Sequence, residues 1–300
     1  MSEQIGVIGL GAMGAIFARH LMAGGYGVVG YDANPDQMAS LQNMGMTAAT
    51  SPKDVSDQAE IIISSLPSAA AVDAVISGQD GILQSKALAN VLVETSTLKI
   101  SDKIGFHEAM AAGGKSFLDT PISGTPPMVE NKTSSLYVSG DKAAYERCVH
   151  VLEAFTGAND YVGEVGNGMK MKILANYLVA VHTVAAAECM VFGMKAGLDP
   201  KMIHQVLPKG AGGSTMLQVR GEYMANSDYR YEDGTIFNVI RKDLSIISEY
   251  AAELNAPIHQ LAAARQTFNS AVALGLDQLE LAAVCRAVET AAGVERDMVE

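Results

Sequence analysis

Short apolar runs alternate with amphipathic segments through the first half of the chain. Residues 5–8, 28–31, 61–65 and 91–94 are nearly continuous apolar runs, and 116–119 and 134–139 continue the series. Runs of this length with little polar alternation read as strands buried on both faces. Between them, residues 15–23, 35–44, 69–76, 103–112 and 142–155 carry helical patterns. Ser51 before Pro52 reads as an N-cap ahead of a proline at the first helical position, Gly45 as a helix stop, and residues 120–124 as a turn. Regular alternation of strand and helix predicts a mostly parallel, doubly wound sheet. From Gly166 the period changes: a long helical stretch over 169–196 is followed by helical patterns at 200–207, 214–224, 237–254, 257–273 and 276–292, with no comparable strand run. The predicted architecture is an α/β domain over residues 1–163 and an all-helical domain over 164–300, joined by the long helix that opens the second.

The first strand runs into Gly9-Leu10-Gly11-Ala12-Met13-Gly14, a G-x-G-x-x-G spacing followed by a helix. In a dinucleotide-binding (Rossmann) corner each glycine has its own task. Gly9 turns the chain, Gly11 lets the backbone approach a pyrophosphate, and Gly14 lets the helix pack against the sheet. The helix that follows directs its positive end and free N–H groups at phosphate. The second strand ends in Asp32, where a carboxylate accepts hydrogen bonds from ribose hydroxyls and repels a 2′-phosphate. No arginine follows in Ala33-Asn34-Pro35, so the predicted cofactor is NAD rather than NADP.

Composition narrows the partners. With 300 residues, 49% hydrophobic and 18% charged, the chain is long enough for one large or two ordinary domains with a sizeable core. A formal net charge of −12 argues against nucleic acid and anionic membranes, so an anionic substrate has to be held by local groups. The three cysteines, Cys148, Cys189 and Cys285, have no metal or redox spacing and read as buried free thiols. The six histidines are scattered, and no metal site is expected. The nucleotide motif begins within a few residues of the N-terminus, and no uninterrupted apolar run is long enough to span a bilayer; a soluble, cytoplasmic protein is expected.

Proton-transfer chemistry has one informative candidate stretch, 166–176. Hydride transfer requires a group that exchanges a proton with the substrate oxygen. Lys172 and Asn176 are i and i+4 on one helix, about 40° apart, and share a face, whereas Lys170 lies about 200° from Lys172. Flanking Gly166 and Gly168 let the helix start close to the domain boundary, where Lys172 and Asn176 would face a cleft. A lysine there can be tuned toward working pH as a general acid or base. Leu66-Pro67 ends a strand at the sheet edge where ligands bind, and the hydroxyls of Thr95-Ser96-Thr97 either bind a ligand or cap the next helix.

Over essentially its whole length the chain resembles the β-hydroxyacid dehydrogenase family, which includes 3-hydroxyisobutyrate dehydrogenase and tartronate semialdehyde reductase. The opening G-L-G-x-M-G stands as Gly9 to Gly14, D-x-P-[VI]-S-G as Asp119 to Gly124, the G-x-G-x-x-x-K segment with its asparagine as Gly166, Gly168, Lys172 and Asn176, and K-D-L as Lys242-Asp243-Leu244. The resemblance implies that Lys172 acts on the substrate oxygen, Asn176 orients it, and Ser123 with Gly124, next to Thr125, holds its carboxylate. It implies that Gly9, Leu10, Gly11, Ala12, Met13, Gly14, Asp32, Leu66, Pro67 and Ser96 line the cofactor, while Lys242 closes over the nicotinamide end from the helical domain. Asp119 reads as a turn-former bonding to its own loop.

Two departures stand out. Where the family continues S-G-G-x-x-G-A, this chain reads Ser123-Gly124-Thr125-Pro126-Pro127-Met128-Val129, and Ala175 replaces the first of two asparagines common in the catalytic helix. The expected function is NAD-dependent hydride transfer on a small, atypical β-hydroxyacid by a homodimer or homotetramer; the alternatives are an imine-reductase-like enzyme or a catalytically silent nucleotide-binding scaffold.

Overall fold

The computed structural model describes residues 3–86, 90–230 and 236–299. The chain divides into two compact units, Met1–Lys172 and Ile173–Glu300, beside the predicted boundary at 163/164.

In the first unit, β1 (Gln4–Ile8), α1 (Ala12–Ala23), β2 (Gly27–Tyr31), α2 (Asp36–Asn43), β3 (Thr47–Ala48), α3 (Pro52–Gln58), β4 (Ile61–Ser64), α4 (Ala69–Ser77), β5 (Val91–Glu94), α5 (Ile100–Ala112) and β6 (Ser116–Asp119) alternate as expected. There follow β7 (Ile122–Ser123), α6 (Pro126–Glu130), β8 (Ser135–Gly140), α7 (Lys142–Leu152), β9 (Ala158–Tyr161) and the start of α8 (Asn167–Lys195). The sheet order is β3-β2-β1-β4-β5-β6-β8-β7, with β9 also paired to β8. Strands β1 to β6 are parallel. Side chains alternate between two cores: Ile5, Ile61, Val91 and Leu118 pack with Phe17 and Phe155 on one face, and Ile8, Ile62, Leu92 and Phe117 pack with Val72 and Phe106 on the other. Both faces being dry explains why these strands read as continuous apolar runs, each buried large side chain contributing roughly 1.5–3 kcal/mol of transfer free energy.

The mostly parallel reading holds up to β6, after which β8 runs antiparallel to it. The connection between them contains only the two-residue β7 and the five-residue α6, too little for a crossover helix, so the chain returns in the opposite direction. The predicted turn at 120–124 accordingly contains a strand, β7, antiparallel to β8. Neither β7 nor α6 shows an apolar period of its own. Ser51 caps α3 as expected, its Oγ accepting the Asp54 N–H at 3.1 Å.

The second unit holds the rest of α8, then α9 (Pro200–Val206), α10 (Thr215–Asn226), α11 (Ile236–Glu253), α12 (His259–Ala273) and α13 (Val284–Ala292). The helical pattern over 276–292 is realised as a 3-10 turn, Leu281–Ala283, and the shorter α13, because the buried Glu280 caps the turn and pairs with the buried Arg220 at 3.1 Å. Helix α8 is long and apolar enough to cross a membrane by length and composition. It also carries buried polar positions, Lys172, Asn176 and Thr183. Of the thiols, Cys148 and Cys285 are buried, and burial pushes each pKa up to about 12. Cys189 is only half-buried, a correction to the expectation that all three are buried.

Candidate active site

The glycine corner forms one wall of a cleft of about 890 Å³ at the carboxyl ends of β1, β2 and β4, lined among others by Gly9, Gly11, Met13, Asp32, Leu66 and Pro67. Gly9 adopts φ +85°, and a Cβ there would lie 2.2 Å from the Ser65 carbonyl oxygen. At Gly14 a Cβ would stand 1.8 Å from the Gly9 carbonyl oxygen, so α1 sits directly on the turn. Gly11 has nothing within 4 Å of an added Cβ, and Ala12 beside it also faces the cleft. The first N–H groups of α1 follow at once. Close packing at Gly9 and Gly14 with open space at Gly11 fits a dinucleotide pyrophosphate. Gly11→Ala is expected to leave the melting temperature unchanged while weakening NAD binding about tenfold or more, and Gly14→Ala to lower both. Calorimetric titration beside thermal unfolding checks the pair, and unaltered affinity in Gly11→Ala would place the pyrophosphate elsewhere.

Asp32 directly follows β2 and is fixed twice, Oδ2 accepting the Leu10 N–H at 2.7 Å and Oδ1 the Asn34 N–H at 2.8 Å. Each oxygen retains a lone pair for a ribose hydroxyl. Leu10 itself is buried and contributes this backbone clamp rather than side-chain lining. Ser96 Oγ accepts the Leu66 N–H at 2.8 Å, at the cleft edge that carries Leu66-Pro67.

Lys172 and Asn176 lie on one buried face of α8, 8% and 7% exposed, while Lys170 is exposed and bonds Asn167 at 3.0 Å. The Asn176 Nδ2 donates to Asp243 Oδ2 at 2.7 Å. Because a carboxylate only accepts, this bond orients the amide and leaves Asn176 Oδ1 to receive a proton donor. Asp243, buried on α11, is a site residue that sequence reasoning passed over; its place inside K-D-L was the available signal. Lys242 next to it is exposed.

Ser123 closes β7, Gly124 follows, and Thr125 is the N-cap of α6 with no side-chain cap bond. Pro126 and Pro127 occupy the first turn of this helix. They remove two N–H donors that a helix start would otherwise offer to an anion. Helix α6 is tied to α1 by an Arg19–Glu130 ion pair at 2.5 Å and by the His20 ring nitrogen at 3.2 Å from the Val129 carbonyl oxygen.

Asp119 is not a turn residue bonding to its own loop. It is fully buried at the end of β6, its Oδ2 accepting the Met169 N–H at 2.9 Å, while Lys103 Nζ stands 3.1 Å from Oδ1. Lys103 also pairs with Glu94, which the sheet register sets beside Asp119. No local pattern signals this triad, since its members come from β5, α5 and β6.

The glycine corner and acidic strand end fit a nicotinamide-dependent oxidoreductase, and the relatives place it among those acting on CH–OH groups. Residues 4–166 match the family described as the NAD binding domain of 6-phosphogluconate dehydrogenase, and residues 166–288 match the NAD-binding domain of NADP-dependent 3-hydroxyisobutyrate dehydrogenase. The chain belongs to the β-hydroxyacid dehydrogenase family, of the 3-hydroxyisobutyrate dehydrogenase type. It is 30% identical to 2-(hydroxymethyl)glutarate dehydrogenase of Eubacterium barkeri over 98% of this chain and 97% of that one. It is also 30% identical to the mitochondrial 3-hydroxyisobutyrate dehydrogenase of Mus musculus, over 93% and 85%. The crystal structure of 3-hydroxyisobutyrate dehydrogenase from Salmonella typhimurium superposes with a TM-score of 0.82 at 27% identity, covering 95% of this chain and 99% of that one.

Proposed function

We propose that this protein is an NAD-dependent dehydrogenase that reversibly oxidises a small β-hydroxyacid, with Lys172 as general acid/base and Asn176 as its orienting partner. What carries the reading is the buried pairing of Lys172 and Asn176 at i and i+4 on α8. Nicotinamide, when bound, supplies the hydride acceptor. In the oxidative direction neutral Lys172 Nζ takes the hydroxyl proton as the C–H bond gives up hydride, and the carbonyl forms; in reduction protonated Lys172 returns that proton. Asn176 Oδ1, oriented by Asp243, receives a hydrogen bond and holds the lysine or substrate hydroxyl in line. Ser123, Gly124 and Thr125 hold the substrate carboxylate with fewer backbone donors than a glycine-rich loop would offer, so the preferred acid differs in shape from 3-hydroxyisobutyrate. Lys242 is assigned to the nicotinamide end of the cofactor. A homodimer or homotetramer remains our expectation for the assembly.

The test is the initial rate of NADH or NADPH formation with 3-hydroxyisobutyrate, L-threonate and 2-(hydroxymethyl)glutarate. Turnover with NAD at least tenfold above that with NADP is expected, since Asp32 would confront a 2′-phosphate with like charge. Preference for NADP overturns the role of Asp32. Absence of turnover on all three acids, with NAD still bound, overturns the substrate class.

A further inference from the structure

The start of α8 is anchored without reference to any ligand. A helix leaves its first four N–H groups without intrahelical partners. Here Asn167 N–H donates to the Glu164 carbonyl at 3.1 Å, and Lys170 N–H makes the first intrahelical bond, to the Gly166 carbonyl at 3.0 Å. Gly168 N–H donates to Ser139 Oγ at 2.9 Å and Met169 N–H to Asp119 Oδ2 at 2.9 Å. Ser139 Oγ in turn donates toward Asp119, 3.1 Å from Oδ2. Two of the four donors thus rest on side chains from β6 and β8, and both lead to Asp119.

Asp119 is held by charge. Glu94 and Asp119 end neighbouring parallel strands, with Lys103 between them, all three fully buried. One ammonium balances one carboxylate; the second negative charge faces the positive end of α8. The chain of contacts also runs the other way. Ser96 N–H donates to Glu94 Oε1 at 3.0 Å, and Ser96 Oγ accepts from Leu66 N–H at the rim of the cofactor cleft. One buried cluster therefore braces both the edge that carries Leu66-Pro67 and the helix turn that precedes Lys172.

We propose that Asp119, held by Lys103 and Glu94, is a positioning residue that sets the first turn of α8 and through it the placement of Lys172, three residues beyond Met169. The inference rests on the general acid/base reading of Lys172. A turn displaced by about 1 Å would carry Lys172 out of line with the reacting oxygen, a misplacement that costs up to roughly 100-fold in rate.

The experiment compares Asp119→Asn and the milder Ser139→Ala with the wild-type full chain. NAD-linked turnover of the fastest of the three acids named above is measured beside hydrogen exchange of the 168–172 amides. A kcat lowered about tenfold or more is expected, with the KM for NAD within about twofold, because neither residue lines the cofactor cleft. Faster exchange at 168–172 is expected together with unchanged protection in β1 and β4. If both variants keep wild-type kcat, the proposal falls, as it does if exchange at 168–172 is unchanged. Lys172→Ala run in parallel separates the two readings. Full turnover in that variant defeats the role of Lys172, whereas lost turnover there with normal turnover in Asp119→Asn defeats the positioning role alone. Should none of the acids react, the exchange arm decides: unaltered 168–172 amides in both variants overturn the anchor.

Discussion

Replacing Lys172 by Ala is expected to lower kcat about 100- to 10,000-fold, the span that a positioned general acid or base contributes, while NAD binding stays within about twofold of wild type. The cofactor cleft at the ends of β1, β2 and β4 contains neither Lys172 nor any residue of α8. Binding and chemistry therefore separate in this variant. Steady-state rates beside calorimetric NAD titration measure both, and near-normal kcat would refute the assignment. Folding should survive the change. The first turn of α8 is held by Asp119 and Ser139 rather than by Lys172.

Lys103→Met is expected to be the most destabilising single change, by about 3–5 kcal/mol, because it leaves Glu94 and Asp119 buried without their shared counter-charge. Against a typical total of roughly 5–15 kcal/mol the loss is severe, and urea unfolding near neutral pH measures it. A change below about 1 kcal/mol would show that the triad is not a buried charge cluster. The pH dependence carries a sign. Burial alone would lower the Lys103 pKa, but the two carboxylates outweigh it and hold the pKa above its ordinary 10.5. The unfolded chain thus gives up this proton at lower pH than the folded one. The stabilisation is complete below about 10.5 and is lost as pH rises through the higher folded value. The gap between wild type and Lys103→Met should accordingly be constant across neutral pH and narrow in strong alkali. A gap that narrows below pH 9 would contradict the shift.

Much of the site was legible because its parts are local. Gly9, Gly11, Gly14 and Asp32 are marked by spacing along one βαβ unit, and Lys172 and Asn176 by helical period, each a relation over a few residues. Asp119 was misread for the opposite reason. In the sequence it sits before Thr120-Pro121, which suggests a turn, whereas its partners lie 16 and 50 positions away at Lys103 and Met169. The ties of Ser96 to Leu66 and of Asp32 to Leu10 depend on which backbone groups the fold brings beside them.

What the sequence determines by itself, then, is the order of strands and helices, the change to an all-helical second half, the dinucleotide corner and the Lys–Asn face. All follow from periodicity and from the backbone freedom of particular glycines, which act within one element or its neighbour. Only the tertiary structure decides that β8 turns antiparallel, that Asp243 orients Asn176, and that Glu94, Lys103 and Asp119 share one dry pocket beneath α8. Those are pairings between distant segments, and a buried charge reveals its purpose only once the group that neutralises it has been brought alongside.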